Sequence, residues 1–528
     1  MKKFLSTMLA LILVLGMCIP MAISASAEEP ASDVWDGTAN IKWFIDAGGV
    51  DGDNYEIKTA EDLAGLAYLV NASVSGAIVK GIYYDADYNV KGYQRGSDPY
   101  LNEFFLTRIC TKTTDLTLIP GYDFNSKSVK LCADIVLNEG NAADWAEEAP
   151  ENEWQPIGGG IHGDATYWFG FNGMFDGQGH TVSGLYTATY TDSPSTSKIS
   201  CVGLFGIVSQ NQDYPSVENV TLENFYVRGD YIVGGIVGRF NRAGSLTNCH
   251  VKNGYVVGTA QVGALVGGIY KGANMIEYCS VDGVNVKADS YVGGMIGLLN
   301  GQTVDITNCY TKATVEGTSG VGVIVGKTTG TIRIKNVYSV VKATATGENA
   351  TAGIIYASTE GYPTTKAENY YFVKDLNAAT TIEVQDGAYD IALEYITGDT
   401  AVAFLGFDFD TVWKAVEGGT PIIELREEET DDGEDAGDAG DAGDVGDAGD
   451  AGDAGNNGNN ENSGNNGNGA NNDTTGNTSN DTTSDTNSDT DVADETENKG
   501  CGGTIGIASA MVVALTAGAA LIIKKKEN

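Results

Sequence analysis

Val233-Gly-Gly-Ile-Val-Gly-Arg-Phe-Asn-Arg-Ala-Gly-Ser-Leu-Thr-Asn-Cys-His-Val-Lys-Asn-Gly-Tyr-Val-Val-Gly-Thr-Ala-Gln-Val-Gly-Ala-Leu-Val-Gly267 holds one full period of this chain and the start of the next. The opening phrase recurs as Val202-Gly-Leu-Phe-Gly206, Val262-Gly-Ala-Leu-Val-Gly267, Val292-Gly-Gly-Met-Ile-Gly297 and Val321-Gly-Val-Ile-Val-Gly326, with a fainter copy at Ala352-Gly-Ile-Ile355. A second series keeps step with it: Val217-Glu-Asn-Val220, Leu246-Thr-Asn-Cys249, Ile276-Glu-Tyr-Cys279, Ile306-Thr-Asn-Cys309 and Ile334-Lys-Asn-Val337. Two series sharing one period of about 30 residues are the signature of a solenoid.

Within the unit, Gly-Gly-Ile-Val-Gly reads as a short apolar strand. Residues 245–251 alternate, and Tyr255-Val-Val257 reads as a third strand, with polar Gly/Asn turns between. Three strands per period predict one coil of a parallel β-helix, and hence an all-β fold. Inward side chains then stack, with Ile236, Leu265, Met295 and Ile324 in one apolar pile. Cys249, Cys279 and Cys309 share a column and are expected as small buried hydrophobes, a disulfide between two neighbours being the alternative. Glycines flanking the strands are expected to supply corner conformations that a Cβ disfavours.

A solenoid must cover its ends, since an open coil leaves strand edges unpaired. Thr59-Ala-Glu-Asp62 has capping-box form, and Leu63, Leu66, Ala67, Leu69 and Val70 follow at helical spacing. This predicts a capping helix over about 60–71 in an N-terminal region 28–130. The first rung is expected near 129–136, the solenoid over 131–380 and a C-terminal cap over 381–426, with Trp413 in the closing segment.

The flanks concern address. Lys2, Lys3, an apolar stretch over 5–17 and Ala25-Ser-Ala27 read as a signal peptide cleaved after Ala27. Residues 504–523 carry no charge and suffice to span a ~30 Å hydrocarbon core. Lys524-Lys-Lys526 then puts the tail 524–528 inside and the rest of the chain outside. Between solenoid and anchor, 427–503 is a Gly-Asp-Ala and Asn/Gly/Thr/Ser tract too poor in apolar side chains to fold. Residues 427–500 hold 22 acids against one lysine, about half the net charge of −40, so this linker should extend as an acidic stalk. Such a balance argues against nucleic-acid binding.

Several of these stretches resemble the GLUG-motif surface proteins of bacteria. The residues that carry the likeness are Thr59-Ala-Glu-Asp-Leu-Ala-Gly-Leu-Ala-Tyr-Leu-Val-Asn71, Leu131-Cys-Ala-Asp-Ile-Val-Leu137, Trp154-Gln-Pro-Ile-Gly158, Phe171-Asn-Gly-Met-Phe-Asp-Gly-Gln-Gly-His-Thr-Val-Ser-Gly-Leu185 and the later Val-Gly-Gly repeats. They cover roughly residues 35–425. The resemblance implies a secreted or anchored β-solenoid acting as an adhesin or carbohydrate-contacting module, with no catalytic signature. The C-terminal segment resembles the tripartite sorting signals of Gram-positive bacteria. It lacks Leu-Pro-x-Thr-Gly and has Lys499-Gly-Cys-Gly-Gly503 instead, which makes Cys501 the candidate sorting position.

β-Helices also carry polysaccharide lyases and glycoside hydrolases, which need paired carboxylates or a base in a groove. The candidates are Asp134, Asp176 and His180, and the competing reading has the last two hydrogen-bonding turn amides. Only His162, His180 and His250 occur, without metal-ligand spacing, so neither metal nor cofactor is expected. Tyr83, Tyr84, Tyr88 and Tyr93 lie in a polar insertion and suit either ligand stacking or packing. The expectation is a non-enzymatic surface adhesin contacting an extracellular glycan or protein. The alternatives are a polysaccharide-cleaving enzyme and a structural envelope protein.

Overall fold

The computed structural model describes residues 34–426, apart from 75–78, 98–108, 162–163, 189–198, 210–215, 349, 351, 360–362, 375 and 377–381. The cleavage position at Ala27, the linker, Cys501 and the span 504–523 lie outside the described residues. Among those residues no helix is long and apolar enough to cross a membrane.

The chain winds into a parallel β-solenoid. Its longest column starts with Asn54–Ile57, Ser128–Leu131, Met174–Asp176, Ser216–Glu218 and Gly244–Thr247. It continues through Ala273–Glu277, Thr303–Gly322, Thr331–Ala345 and Thr364–Phe372, every pair parallel. Inward positions stack in register, with Tyr55, Val129, Phe175, Val217, Leu246, Ile276, Ile306 and Ile334 all buried. The column begins one strand earlier than the apolar pattern suggested. Asn54–Ile57 has only two inward side chains, too few to show a period.

A separate sheet holds six strands, Phe205–Val208, Val237–Phe240, Val266–Ile269, Ile296–Leu299, Val325–Thr328 and Tyr356–Thr359, five windings apart from first to last. This corrects the reading of the repeat. Val-Gly-Gly-Ile-Val-Gly is two strands, Tyr231–Gly234 and Val237–Phe240, joined by a sharp arc, so the winding has four strands rather than three.

The glycines explain the arc. A Cβ on Gly234, Gly263, Gly293 or Gly322 would lie 2.1, 2.3, 2.0 or 1.8 Å from the carbonyl oxygen of Val237, Val266, Ile296 or Val325. A second glycine column meets the backbone of the preceding winding, where a Cβ on Gly297 or Gly326 would sit 2.4 Å from the carbonyl carbon of Gln261 or Tyr291. Room, not backbone angle, selects glycine here. Positive-φ corners are filled by glycine at Gly272, Gly301 and Gly320, and in one column by Asn219, Asn248, Tyr278, Asn308, Asn336 and Asn369, at φ 51–55°. Asparagine tolerates that region better than most side chains.

Ile236, Leu265, Met295 and Ile324 stack as expected, each fully buried and joined by backbone bonds of 3.2, 3.1 and 3.0 Å. Cys249, Cys279 and Cys309 also stack, as unpaired thiols at 0% exposure, with the Cys279 amide 3.3 Å from Cys309 Sγ. Burial pushes the Cys249 and Cys279 thiols well above their ordinary range.

The Ala60–Asn71 helix begins with the expected capping box. Thr59 Oγ1 accepts from Asp62 N (3.2 Å), and Asp62 Oδ2 accepts from Thr59 N (3.3 Å). Leu63, Leu66, Leu69 and Val70 enter the same core as Tyr55 and Val129. At the other end, residues 388–426 do not simply lie across the last winding. Trp413, Leu405 and Ile396 pack on the outward rings of successive windings, Tyr310 and Tyr338, and Tyr338 Oη donates to Pro421 O at 2.5 Å. Those rings follow the inward Cys309 and Val337 by one residue, so strand alternation turns them outward.

Gly297→Ala is expected to lower stability by about 2–3 kcal/mol, read as a fall in urea midpoint, because the new methyl meets backbone on two sides. Ser245→Ala on the outer face should stay within about 0.5 kcal/mol. An unchanged midpoint for Gly297→Ala would contradict the close-approach account.

Candidate functional site

The first candidate cluster lies where the early windings turn. Asp134 Oδ1 accepts from Thr181 N (2.8 Å) and faces His180 Nδ1 at 3.2 Å. Asp176 Oδ1 accepts from Gln178 N (2.9 Å) and from Asn219 Nδ2 (3.0 Å). Asp176 thus holds a turn amide and heads a ladder of side-chain amides, while Asp134 holds the first amide of the strand Thr181–Ser183. Burial, with Asp176 alongside, pushes the neighbouring Glu218 carboxyl above its ordinary value.

The ladder runs Asp176–Asn219–Asn248, breaks at Tyr278, and resumes as Asn308–Asn336–Asn369 with steps of 3.0–3.1 Å. At the break, Asn248 Oδ1 accepts from His250 Nε2 (3.1 Å) instead. His250 Nδ1 lies 2.8 Å from Ser280 Oγ, and in the neutral ring with its proton on Nε2 it accepts from that hydroxyl. Burial, and then Lys252, lowers its pKa to about 4. His162 lies outside the described residues.

The tyrosines divide. Tyr83 is 2% exposed and Tyr93 0%, which removes both as ligand-stacking faces. Tyr93 is sealed because Val79–Tyr84 and Val90–Arg95, with Thr117–Ile119, form an antiparallel sheet folded onto the core, and Tyr83 lies buried in that same sheet opposite Gly92. Tyr93 stacks on Tyr68 at 4.9 Å and its hydroxyl accepts from Gln155 Nε2 at 3.0 Å. Tyr84 and Tyr88 are half-buried and stack on each other at 5.9 Å.

A groove of about 600 Å³ opens beside the N-terminal helix, lined by Asn40, Trp43, Asn54, Glu56, Glu61 and Asn89 among others. Trp43 is held on three counts. It stacks on Phe124 (6.0 Å, 18°), meets Tyr55 edge-on (6.0 Å, 89°), and its Nε1 donates to Asn40 O at 3.1 Å. Asn40 Nδ2 in turn donates to Asn89 Oδ1 at 3.0 Å, tying two rim segments together. Lys42 pairs with Asp46 and Lys58 with Glu56, the latter at 2.7 Å. Lys58 holds the Glu56 carboxyl below its ordinary value. Desolvation raises Asp62, against the backbone amides it accepts. A fixed, partly exposed indole therefore borders the groove together with paired charges and amides.

Neither Trp43 nor this groove stood out in the sequence. Its walls come from residues 40–47, 54–62 and 89, three segments without a shared motif, and Trp43 differs from the core Phe44 only by partial exposure.

Comparison with known proteins adds little. No family model matches the chain, and no curated protein matches it. A crystal structure from Bacteroides ovatus described as "a putative immunoglobulin A1 protease" is similar at TM-score 0.43 and 17% identity, over 72% of this chain and 95% of that one.

A neutral ring in the fold and a protonated one in the unfolded chain make His250 an acid-sensitive joint. Its folded pKa lies below the unfolded value of about 6.5, so its contribution is whole above that pH. It then declines as pH falls toward 4, by on the order of 3 kcal/mol in total. Urea midpoints of wild type and His250→Gln at pH 7 and pH 4.5 should therefore converge on acidification. Parallel pH dependence would remove His250 from this role.

Proposed function

We propose that this protein is a non-enzymatic binding module displayed on the outer face of the cell. In this reading the solenoid stands on the acidic linker above a C-terminal membrane anchor and contacts extracellular glycan or protein through the groove at its N-terminal end. One observation carries the choice of site: the Trp43 indole, clamped by Phe124, Tyr55 and Asn40, borders a groove with a polar rim. A pyranose ring matches that surface, placing its C–H face on the indole and its hydroxyls on amides and carboxylates. Membership of the GLUG-motif surface proteins belongs to the same proposal, supported by the phase of the two repeat series and the observed capping box.

The outward charges favour binding over cleavage. On the later windings they pair across the ladder, Lys312 with Asp282 (2.5 Å), Lys287 with Glu316 (2.9 Å) and Arg333 with Asp305. A carboxylate committed to a cation is less available as general acid or base.

The test is retention of the chain on glycan and cell-protein arrays, with release of reducing sugar as the control. Trp43→Ala should weaken the retained ligand roughly tenfold, about 1.4 kcal/mol, while Trp43→Phe retains most of the affinity. Glu61→Gln perturbs the rim without touching the packed indole and should weaken binding by less. Equal retention of all variants would move the site elsewhere, and sugar release would replace the module with an enzyme.

A further inference from the structure

The two ends of the solenoid are finished differently. At the N-terminal end, Phe44 stacks on Tyr55 at 5.7 Å and Trp43 closes beside it, so the first strand is covered. At the C-terminal end, Ile382–Glu383 pairs only with Ala352–Gly353, and Ala388–Asp390 only with Thr364–Phe372. Each leaves its far edge without a strand among the described residues.

Val384 and Tyr389 lie on or beside these strands, and Leu393, Tyr395, Val402 and Phe404 on the helical segments that follow, each 41–57% exposed. Tyr395 and Phe404 touch, with ring centroids 4.9 Å apart. The Tyr395–Phe404 pair is thus a contiguous exposed aromatic surface, and such apolar surface rimmed by charge is the kind that interaction sites use. Residues 382–405 also carry Glu383, Asp386, Asp390, Glu394 and Asp399, all exposed, and no lysine or arginine. None of the five acids has an ion-pair partner among the described residues. Asp390 takes the register position of the buried Phe372, placing a charge where another winding would need an apolar side chain.

Those features weigh against a second copy as the occupant. Two such ends face to face would bring ten carboxylates together, and a charge at an inward position is a known guard against edge pairing. They suit a partner of opposite sign. We propose that the segment 382–405 is a docking surface for a cationic amphipathic segment of another protein. Its apolar side chains would cover Tyr395 and Phe404, and its lysines or arginines would meet the five carboxylates.

The acidic linker also attracts cations, so the test must separate the two. The full-length chain is titrated with a labelled 18-residue helical peptide of Leu and Lys arranged amphipathically, and with an 18-residue Lys peptide that reports on the linker. Tyr395→Ser/Phe404→Ser is expected to weaken the amphipathic peptide at least tenfold and to leave the Lys peptide unchanged. Glu394→Gln/Asp399→Asn, confined to exposed positions, should weaken the amphipathic peptide severalfold and flatten its salt dependence. Equal affinity of wild type and both variants overturns the proposal. So does a concentration-dependent doubling of mass that Tyr395→Ser/Phe404→Ser abolishes, which would make a second copy the occupant.

Discussion

The molecule depends on how closely two backbones approach at one arc. Where Gly234, Gly263, Gly293 and Gly322 stand, the carbonyl of the strand beginning three residues later occupies the volume a Cβ would fill. That contact folds the six-stranded sheet back against the main one and closes each winding over its apolar column. Everything inside, the Ile236–Leu265–Met295–Ile324 pile and the stacked thiols, inherits its register from the arc. Glycine carries an entropic cost in strands, offset here because no other residue fits.

Once the arc repeats, the remaining positions become columns, and each column has its own chemistry. Inward rows are dry and apolar. The corner row is mostly asparagine, whose amides bond from winding to winding while the backbone sits at positive φ. Tyr278 interrupts that row, and His250 takes up the stranded carbonyl, turning a gap in the ladder into a titratable joint. Outward rows are filled according to what covers them. Tyr310 and Tyr338 meet the C-terminal module, whereas charged rows pair across windings.

Much of this was legible in the chain itself. The period, the buried cysteine column, the apolar pile and the capping box at Thr59 and Asp62 follow from side-chain spacing, and the structure places them accordingly. The arc was not legible, because Val-Gly-Gly-Ile-Val-Gly looks like one apolar strand until the clash at its glycines is seen. Tyr83 and Tyr93 looked available in a polar insertion and are sealed by a three-stranded sheet. Asp176 holds its own turn, and Asp134 ties to His180 and Thr181 on a neighbouring winding. Trp43, by contrast, gained its significance only when residues 54–62 and 89 came to stand around it.

Local and periodic features were therefore determined by sequence alone: a repeat of about 30 residues and a helix with its cap. Such features depend on neighbours along the chain or one period away, and spacing records those directly. Tertiary structure alone decided which rings are buried, where a groove opens and which strand edges lack a partner among the described residues. Those properties belong to surfaces assembled from distant segments, and no single window of residues contains them.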